Sequence, residues 1–411
     1  MRRKFIALTA IAVLIAVGVG VGAAFVRHTG QPVEKNVPPD KENLRTFVQT
    51  ANEWLAERQK TAGLSFYMAD AENGWRTDGK NVYYTSDSGK TWTAAAPFYD
   101  GGAVDFVDST HAVALAKAVK NEEMLTGISV YATADSGKVW RHLALAGAPY
   151  FSADNSTRGV DGFSMTDSRN GLLMLAGDAA AGHHESSVFS TKDGARSFQQ
   201  QTDNLRVPNG QTTLVTADAT HAYLFVNGSA SPVFMTATAD GGKTWTEQDN
   251  GVTAHFTDVT PSYMPVRMTG DTRIALLSVQ NGVEAAAAKG QTEKADTHMR
   301  NTFYTLSANG AVSGKLAELL TELPLDAKSV SMPDAQTIFV FSHAQGKPVL
   351  YRHVAQGGWT RIVSNTLPSD ASQIQFLNLS NGFILQKDAV YVTVDGGKSW
   401  MKSVFSENAA H

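Results

Sequence analysis

Short apolar runs alternate with acidic turns along most of this chain. One unit shows the arrangement clearly: an apolar run from Val104 to Val107, a turn at Asp108, and a second apolar run from Ala112 to Leu115. Runs this short, bounded by turn residues, predict β-strands. The pattern occurs seven times at spacings of roughly 40 to 60 residues, a period typical of repeat architectures. The seven turns lie at or near Asp70, Asp108, Asp167, Asp218, Asp271, Asp334 and Asn381.

A second element, eight residues long, follows the paired runs in five of the units. Its pattern is Thr-x-Asp-x-Gly-x-Thr/Ser-Trp, and we call the copies repeat loops 1, 2, 3, 4 and 7 after their units. They span Thr85–Trp92, Thr133–Trp140, Thr191–Phe198, Thr238–Trp245 and Thr393–Trp400. Loop 2 has Val139 at the hydroxyl position, and loop 3 has Ala195 for the glycine and Phe198 for the tryptophan.

The recurring residue types all favour a structural role. Carboxylates and hydroxyls can hydrogen-bond to nearby main-chain groups and hold a tight turn closed; the carboxylates are those of Asp87, Asp135, Asp193, Asp240 and Asp395. Glycine supplies the positive φ that such a turn needs, at Gly89, Gly137, Gly242 and Gly397. A large ring at the start of the next strand can pin the hairpin to its sheet, and the rings are those of Trp92, Trp140, Phe198, Trp245 and Trp400.

These loops resemble the Asp-box, also called the bacterial neuraminidase repeat, which is found in many β-propellers. The rhythm of the units is most similar to the photosystem II stability factor family and its bacterial relatives. Asn-Gly and Asp-Gly pairs, such as those at Asn170 and Asn381, add strong hairpin signals between the runs. We therefore predict an all-β fold, a seven-bladed propeller of four-stranded antiparallel blades over residues 64–406.

The segment before the propeller predicts export. Residues 1–27 carry a basic head and an apolar run from Phe5 to Val26, which is long enough to span a bilayer as a helix. This length favours an uncleaved membrane anchor, although a signal peptide cleaved after Ala24 stays open. Residues 28–42 are predicted to form a linker, and residues 43–61 an amphipathic helix. The propeller would then lie outside the cytoplasm, held at the cell membrane, or be secreted if the segment is cleaved.

Composition narrows the functional classes. The hydrophobic content of 43% and charged content of 18% suit a folded globular protein. A net charge of −4 argues against nucleic-acid binding, which normally requires a basic surface. The chain has no cysteine, so disulfides, thiolate metal sites and a cysteine nucleophile are excluded.

Candidate chemistry is sparse. A sialidase-like glycoside hydrolase is the rival to a binding function, because the same repeat occurs in sialidases. Those enzymes resemble one another in a Phe/Tyr-Arg-Ile-Pro signature, and neither Arg76 nor Arg267 stands in one. The densest group of potential metal ligands, His183-His184-Glu185, is interpreted as an exposed hairpin loop because no further ligand at zinc-like spacing accompanies it. We predict no catalytic residue, metal or cofactor.

We instead expect a monomeric binding or assembly module with a protein or glycan partner at the cell envelope. A purely structural envelope protein without a specific ligand is a further alternative. Proline-stiffened aromatic residues in three segments predicted to connect blades are the candidate anchors. They are Phe98, Tyr99, Tyr150, Phe151 and Tyr263. The other interpretation of these rings is that they fill the gaps between neighbouring blades.

Overall fold

The computed structural model describes residues 65–96, 103–120, 123–143, 160–180, 182–227, 234–248, 262–269, 274–281, 298–306 and 312–405. These residues form seven antiparallel sheets of four strands each, and in every sheet the strands follow one another in chain order. Each sheet is therefore one blade made from a single stretch of chain. The predicted seven-bladed, all-β propeller is confirmed.

The first four blades contain strands β1 to β16. Their bounds are β1 Ser65–Met68, β2 Gly74–Thr77, β3 Val82–Thr85 and β4 Thr93–Ala96; β5 Ala103–Phe106, β6 Ala112–Lys120, β7 Glu123–Thr133 and β8 Arg141–Leu143; β9 Val160–Met165, β10 Gly171–Ala180, β11 His183–Thr191 and β12 Gln199–Pro208; β13 Gln211–Thr216, β14 Ala222–Asn227, β15 Phe234–Thr238 and β16 Thr246–Glu247.

Blades 5 to 7 contain the remaining twelve strands. Their bounds are β17 Ser262–Arg267, β18 Ile274–Asn281, β19 Met299–Leu306 and β20 Val312–Thr321; β21 Val330–Asp334, β22 Thr337–Ala344, β23 Lys347–Val354 and β24 Gly358–Ile362; β25 Gln373–Phe376, β26 Gly382–Leu385, β27 Ala389–Thr393 and β28 Met401–Val404. A 3₁₀ turn, Ala327–Ser329, precedes β21 and is capped by the Asp326 side chain.

In the blades whose first turn the structure describes, the turns predicted from the sequence join the first two strands. In blade 2, Asp108 Oδ1 accepts hydrogen bonds from the main-chain N–H groups of Thr110 and His111, at 2.7 and 2.8 Å. Each repeat loop joins the third and fourth strands, at the same end of the sheet. The two turns are bonded together; in blade 2, Ser136 N donates to Thr110 O at 3.0 Å. All repeat loops consequently lie on one face of the disc, which we call the repeat-loop face.

The core consists of seven apolar clusters, one at each interface between neighbouring blades. Because both faces of a blade are covered, its second strand is buried without alternation. β26, for example, is buried at all four positions. The fourth strands are the outer edges; β8 and β16 have only three and two residues, and most of their side chains are exposed.

The first strands of neighbouring blades contact one another around the axis. Blade 7 meets blade 1 through two glutamine side chains of β25. Gln373 and Gln375 each accept from the N–H and donate to the C=O of one residue of β1, Phe66 and Met68 respectively. Among the described strands, none is exchanged between the first and last blades, so these amides take the place of a shared strand.

The predicted anchor, linker and amphipathic helix fall outside the described residues. Within the described ranges, no helix has the length and apolar character that a membrane span requires.

Candidate functional site

Loop 7 shows how a complete repeat loop is built. Asp395 Oδ1 accepts from the Thr393 hydroxyl and the Ser399 N–H, at 2.8 and 2.9 Å, while Oδ2 accepts from the Ser399 hydroxyl at 2.6 Å. Trp400 Nε1 donates to Gly397 O at 3.0 Å. The bonds from Ser399 lower the pKa of Asp395 to about 2. Both carboxylate oxygens of Asp395 therefore accept hydrogen bonds from within the loop.

The ring that ends each repeat loop packs against the preceding blade. Trp92 lies among residues of blade 7, Trp140 among those of blade 1, Phe198 among those of blade 2, Trp245 among those of blade 3, and Trp400 among those of blade 6. The glycines of the repeat loops also lie close to the preceding blade. A Cβ on Gly397 would lie 2.4 Å from Leu350 of blade 6. The repeat loops therefore join blade to blade.

The loops of blades 2 and 3 depart from this arrangement. The Val139 side chain has no hydroxyl to donate to Asp135 Oδ2, and Val139 is 53% exposed. Ala195 replaces the glycine at a φ of 63°, and its methyl group is buried against blade 2. Phe198 is smaller than the indole of other loops and has no N–H to donate. Altered side chains thus meet at one blade interface.

A groove of about 460 Å³ lies between blades 2 and 3 on the repeat-loop face. Aliphatic side chains from the strands and first turn of blade 2 form its floor: Val107, Val113, Ala132 and Leu143. Val139 adds a further, exposed aliphatic group. Loop 3 and the first turn of blade 3 form the opposite wall. The groove thus combines this aliphatic floor with polar lining residues, among them His111, Thr133 and Ser168, and it is accessible from the solvent.

Three arginines surround this groove. Arg141 begins β8, Arg169 lies in the first turn of blade 3, and Arg196 lies in loop 3. All three side chains are exposed, and none forms an ion pair with another described residue. The groove also contains the carboxylates of Asp135 and Asp193. The main-chain N–H of Val139 and the Thr133 hydroxyl lower the pKa of Asp135, so this carboxylate is ionised at neutral pH.

Loop 3 keeps the other carboxylate of the groove fully bonded. Partial burial opposes ionisation of Asp193, but the hydroxyl and N–H of Ser197 lower its pKa overall. The Ser197 Oγ–Asp193 Oδ2 distance is 2.6 Å. With three guanidinium groups against two carboxylates, the groove has an excess of positive charge although the chain as a whole is acidic.

The histidine pair lies in a strand, not in the predicted hairpin loop. His183 and His184 begin β11 and pair with Ala180 and Ala179 of β10. His184 Nε2 lies 2.7 Å from Asp161 Oδ2, which also accepts from the Ser186 hydroxyl. Among the described residues, no group of three or more His, Asp or Glu side chains could hold a metal.

The two arginines considered for a sialidase-like site both contact other blades. Arg76 is buried between blades 1 and 7, with its guanidinium 3.8 Å from the ring centroids of both Tyr83 and Phe405. Arg267 lies at the end of β17, in blade 5, and its Nη2 donates to the Ser164 hydroxyl of blade 3 at 2.9 Å. The two arginines thus serve separate contacts between blades.

Near Arg267, Asp105 Oδ2 accepts from the N–H of Met165 at 2.6 Å. Burial raises the pKa of Asp105, and the charge of Arg267 opposes this shift. The hydrogen bond that this carboxylate accepts links the first strands of blades 2 and 3.

The predicted aromatic anchors lie largely beyond what the structure describes. Phe98, Tyr99, Tyr150 and Phe151 fall outside the described residues. Tyr263 is not in a connection between blades as expected; it lies within β17, the first strand of blade 5, where it pairs with Ser278. Sequence reasoning did not identify the groove. The available signal was that loops 2 and 3, which are neighbours in the ring, both depart from the repeat.

No protein-family model matches the chain, and no curated protein sequence matches it. Among solved structures, the chain is similar to YCF48 bound to a D1 peptide, with 12% identity, a TM-score of 0.42, and coverage of 73% of this chain and 79% of the other. It is also similar to the Hadza microbial sialidase Hz136, with 12% identity, a TM-score of 0.38, and coverage of 68% and 62%. A third neighbour is the fucose-specific lectin from Aleuria aurantia, with 10% identity, a TM-score of 0.37, and coverage of 73% and 95%. Likenesses this distant do not assign a function.

Proposed function

We propose that this protein is an extracytoplasmic binding module whose groove between blades 2 and 3 holds an acidic, partly apolar peptide segment of a partner protein. The proposal rests mainly on three exposed arginines that surround a groove with an aliphatic floor and have no ion-pair partners among the described residues. Arginine side chains are suited to carboxylates because the planar guanidinium can donate two parallel hydrogen bonds.

The floor of the groove favours a peptide over an anionic glycan. Its described floor residues are aliphatic, and burying sugar hydroxyls against them without hydrogen bonds is unfavourable. Leucine or valine side chains of a peptide would instead gain from leaving water. In an extended acidic peptide with alternate apolar residues, the carboxylates can bind the three arginines and the apolar side chains can contact the floor.

We also propose that residues 1–27 tether the protein to the membrane. The repeat loops are proposed to be Asp-boxes. β1 runs from Ser65 toward the repeat-loop face, because the turn after it bonds to loop 1 (Ser88 N to Glu72 O, 2.9 Å). The propeller chain therefore begins on the opposite face. If residues 1–27 anchor the protein, a partner can approach the groove from the side away from the attachment point.

Binding of a labelled peptide of alternating glutamate and leucine tests the proposal. Replacing Arg141, Arg169 and Arg196 together with serine should weaken binding by roughly threefold to a hundredfold, since exposed charge pairs contribute about 0.2–1 kcal/mol each. The matched control replaces Lys90, Lys243 and Lys398, which occupy the position of Arg196 in loops 1, 4 and 7. This control removes the same charge and should leave binding nearly unchanged.

Equal weakening by both triple variants would show that net charge, and not the groove, attracts the peptide. A glutamate–serine peptide should bind the native protein less tightly because it cannot use the floor. Preference for a uronic-acid oligosaccharide over both peptides would reassign the groove to a glycan. Turnover of fluorogenic glycosides would instead support the glycoside hydrolase alternative.

A further inference from the structure

One carboxylate oxygen of the groove has no donor among the described residues. In loops 1, 3, 4 and 7, a serine or threonine hydroxyl donates to Oδ2 of the loop aspartate at 2.6 to 2.7 Å. Loop 2 has Val139 at this position, so only Oδ1 of Asp135 is bonded, by the Thr133 hydroxyl and the Val139 N–H at 2.9 and 3.0 Å. Asp135 Oδ2 is therefore a free acceptor.

This acceptor lies in the groove. Asp135 and Val139 both line it, and the other four loops, whose aspartates are satisfied internally, lack such an acceptor. Asp135 and Asp193 both line the groove beside Arg141, Arg169 and Arg196, and of the two carboxylates only that of Asp135 keeps an oxygen without a donor among the described residues. An occupant complementary to this pattern is anionic along most of its length and carries one positively charged donor.

Building on the proposed function, we infer that Asp135 selects peptides that carry one lysine or arginine among their acidic residues. The ligand's ammonium or guanidinium group replaces the hydroxyl that Val139 lacks. Neutral donors compete less well, because a charge-assisted hydrogen bond to a carboxylate is stronger. Asp135 thereby acts as a specificity-determining residue, while the arginines supply most of the affinity.

The test compares two labelled glutamate–leucine peptides that differ only at one central glutamate, replaced by lysine in one and by glutamine in the other. The arginines alone would favour the glutamine peptide. We expect the native protein to prefer the lysine peptide up to about fivefold, the range for an exposed ion pair. Val139→Thr supplies the missing hydroxyl and should abolish this preference while raising the unfolding temperature. Asp135→Asn should reverse it.

Thr244→Val is the matched control, because it frees the equivalent oxygen of Asp240 in loop 4, away from the groove; the lysine preference should persist. Equal binding of both peptides by the native protein, or tighter binding of the glutamine peptide, overturns this inference and leaves the proposed function standing. Failure of both peptides to bind overturns the proposed function and this inference with it. Retention of the preference in Val139→Thr also contradicts the role of Asp135.

Discussion

The contact between blades 7 and 1 predicts a large loss of stability from a single substitution. Gln375 is buried, its Oε1 accepts from Met68 N at 2.7 Å, and its Nε2 donates to Met68 O at 2.9 Å. Gln375→Ala leaves both main-chain groups buried without partners. Each such group costs about 1–3 kcal/mol, so the free energy of unfolding should fall by roughly 2–6 kcal/mol.

Urea denaturation followed by tryptophan fluorescence measures this change through the shift in the midpoint at constant slope. Gln375→Met separates hydrogen bonding from packing, because methionine nearly fills the space but cannot bond to Met68. Gln386→Ala is the control; its exposed amide makes a single bond, 2.8 Å from Asp370 O, and its loss should cost less than about 1 kcal/mol. If Gln375→Met retained native stability, hydrogen bonding by this amide would not be what holds the ring closed.

Two further substitutions test other contacts between blades. The pKa of Asp105 is raised in the folded state, so folding favours its protonated form. The contribution of this group to the free energy of unfolding is therefore present at low pH and is lost as the pH rises through the folded pKa. Asp105→Asn should therefore be more stable than the native protein at pH 7, and thermal unfolding at decreasing pH should show this advantage shrinking; a constant difference would contradict the shift. Gly397→Ala should lower the free energy of unfolding by roughly 2–4 kcal/mol, from a left-handed backbone and from a clash with Leu350. Gly346→Ala has a similar φ and no neighbour within 4 Å, so in urea denaturation it should show the backbone cost alone.

The fold could be predicted because its signals are local. In all five repeat loops the threonine hydroxyl donates to the aspartate two residues later, and the apolar runs beside the loop specify the strands. Blade 6 lacks a complete repeat loop, yet its degenerate turn still places Trp359 against blade 5, with Nε1 donating to Glu318 O at 2.7 Å. The contact between this ring and blade 5 could not be predicted from the sequence.

The groove could not be predicted in the same way, because it depends on how two blades face each other. Arg141 and Arg196 are separated by 55 positions in the chain, and no spacing rule brings them together. In the sequence, Val139 and Phe198 are departures from the repeat pattern in loops 2 and 3. Their significance depends on loops 2 and 3 being adjacent in the ring, which places both departures at one interface.

The outer strands have a consequence for self-association. Unpaired edge strands invite pairing with other chains, and short or irregular edges resist it. β8 and β16 are very short, while the longer β12 and β20 are interrupted by bulges against β11 and β19. β28 pairs regularly with β27 and exposes Met401 and Val404 at 61% and 57%. At high concentration, the edge of blade 7 therefore offers a foreign strand a regular, partly apolar template for pairing.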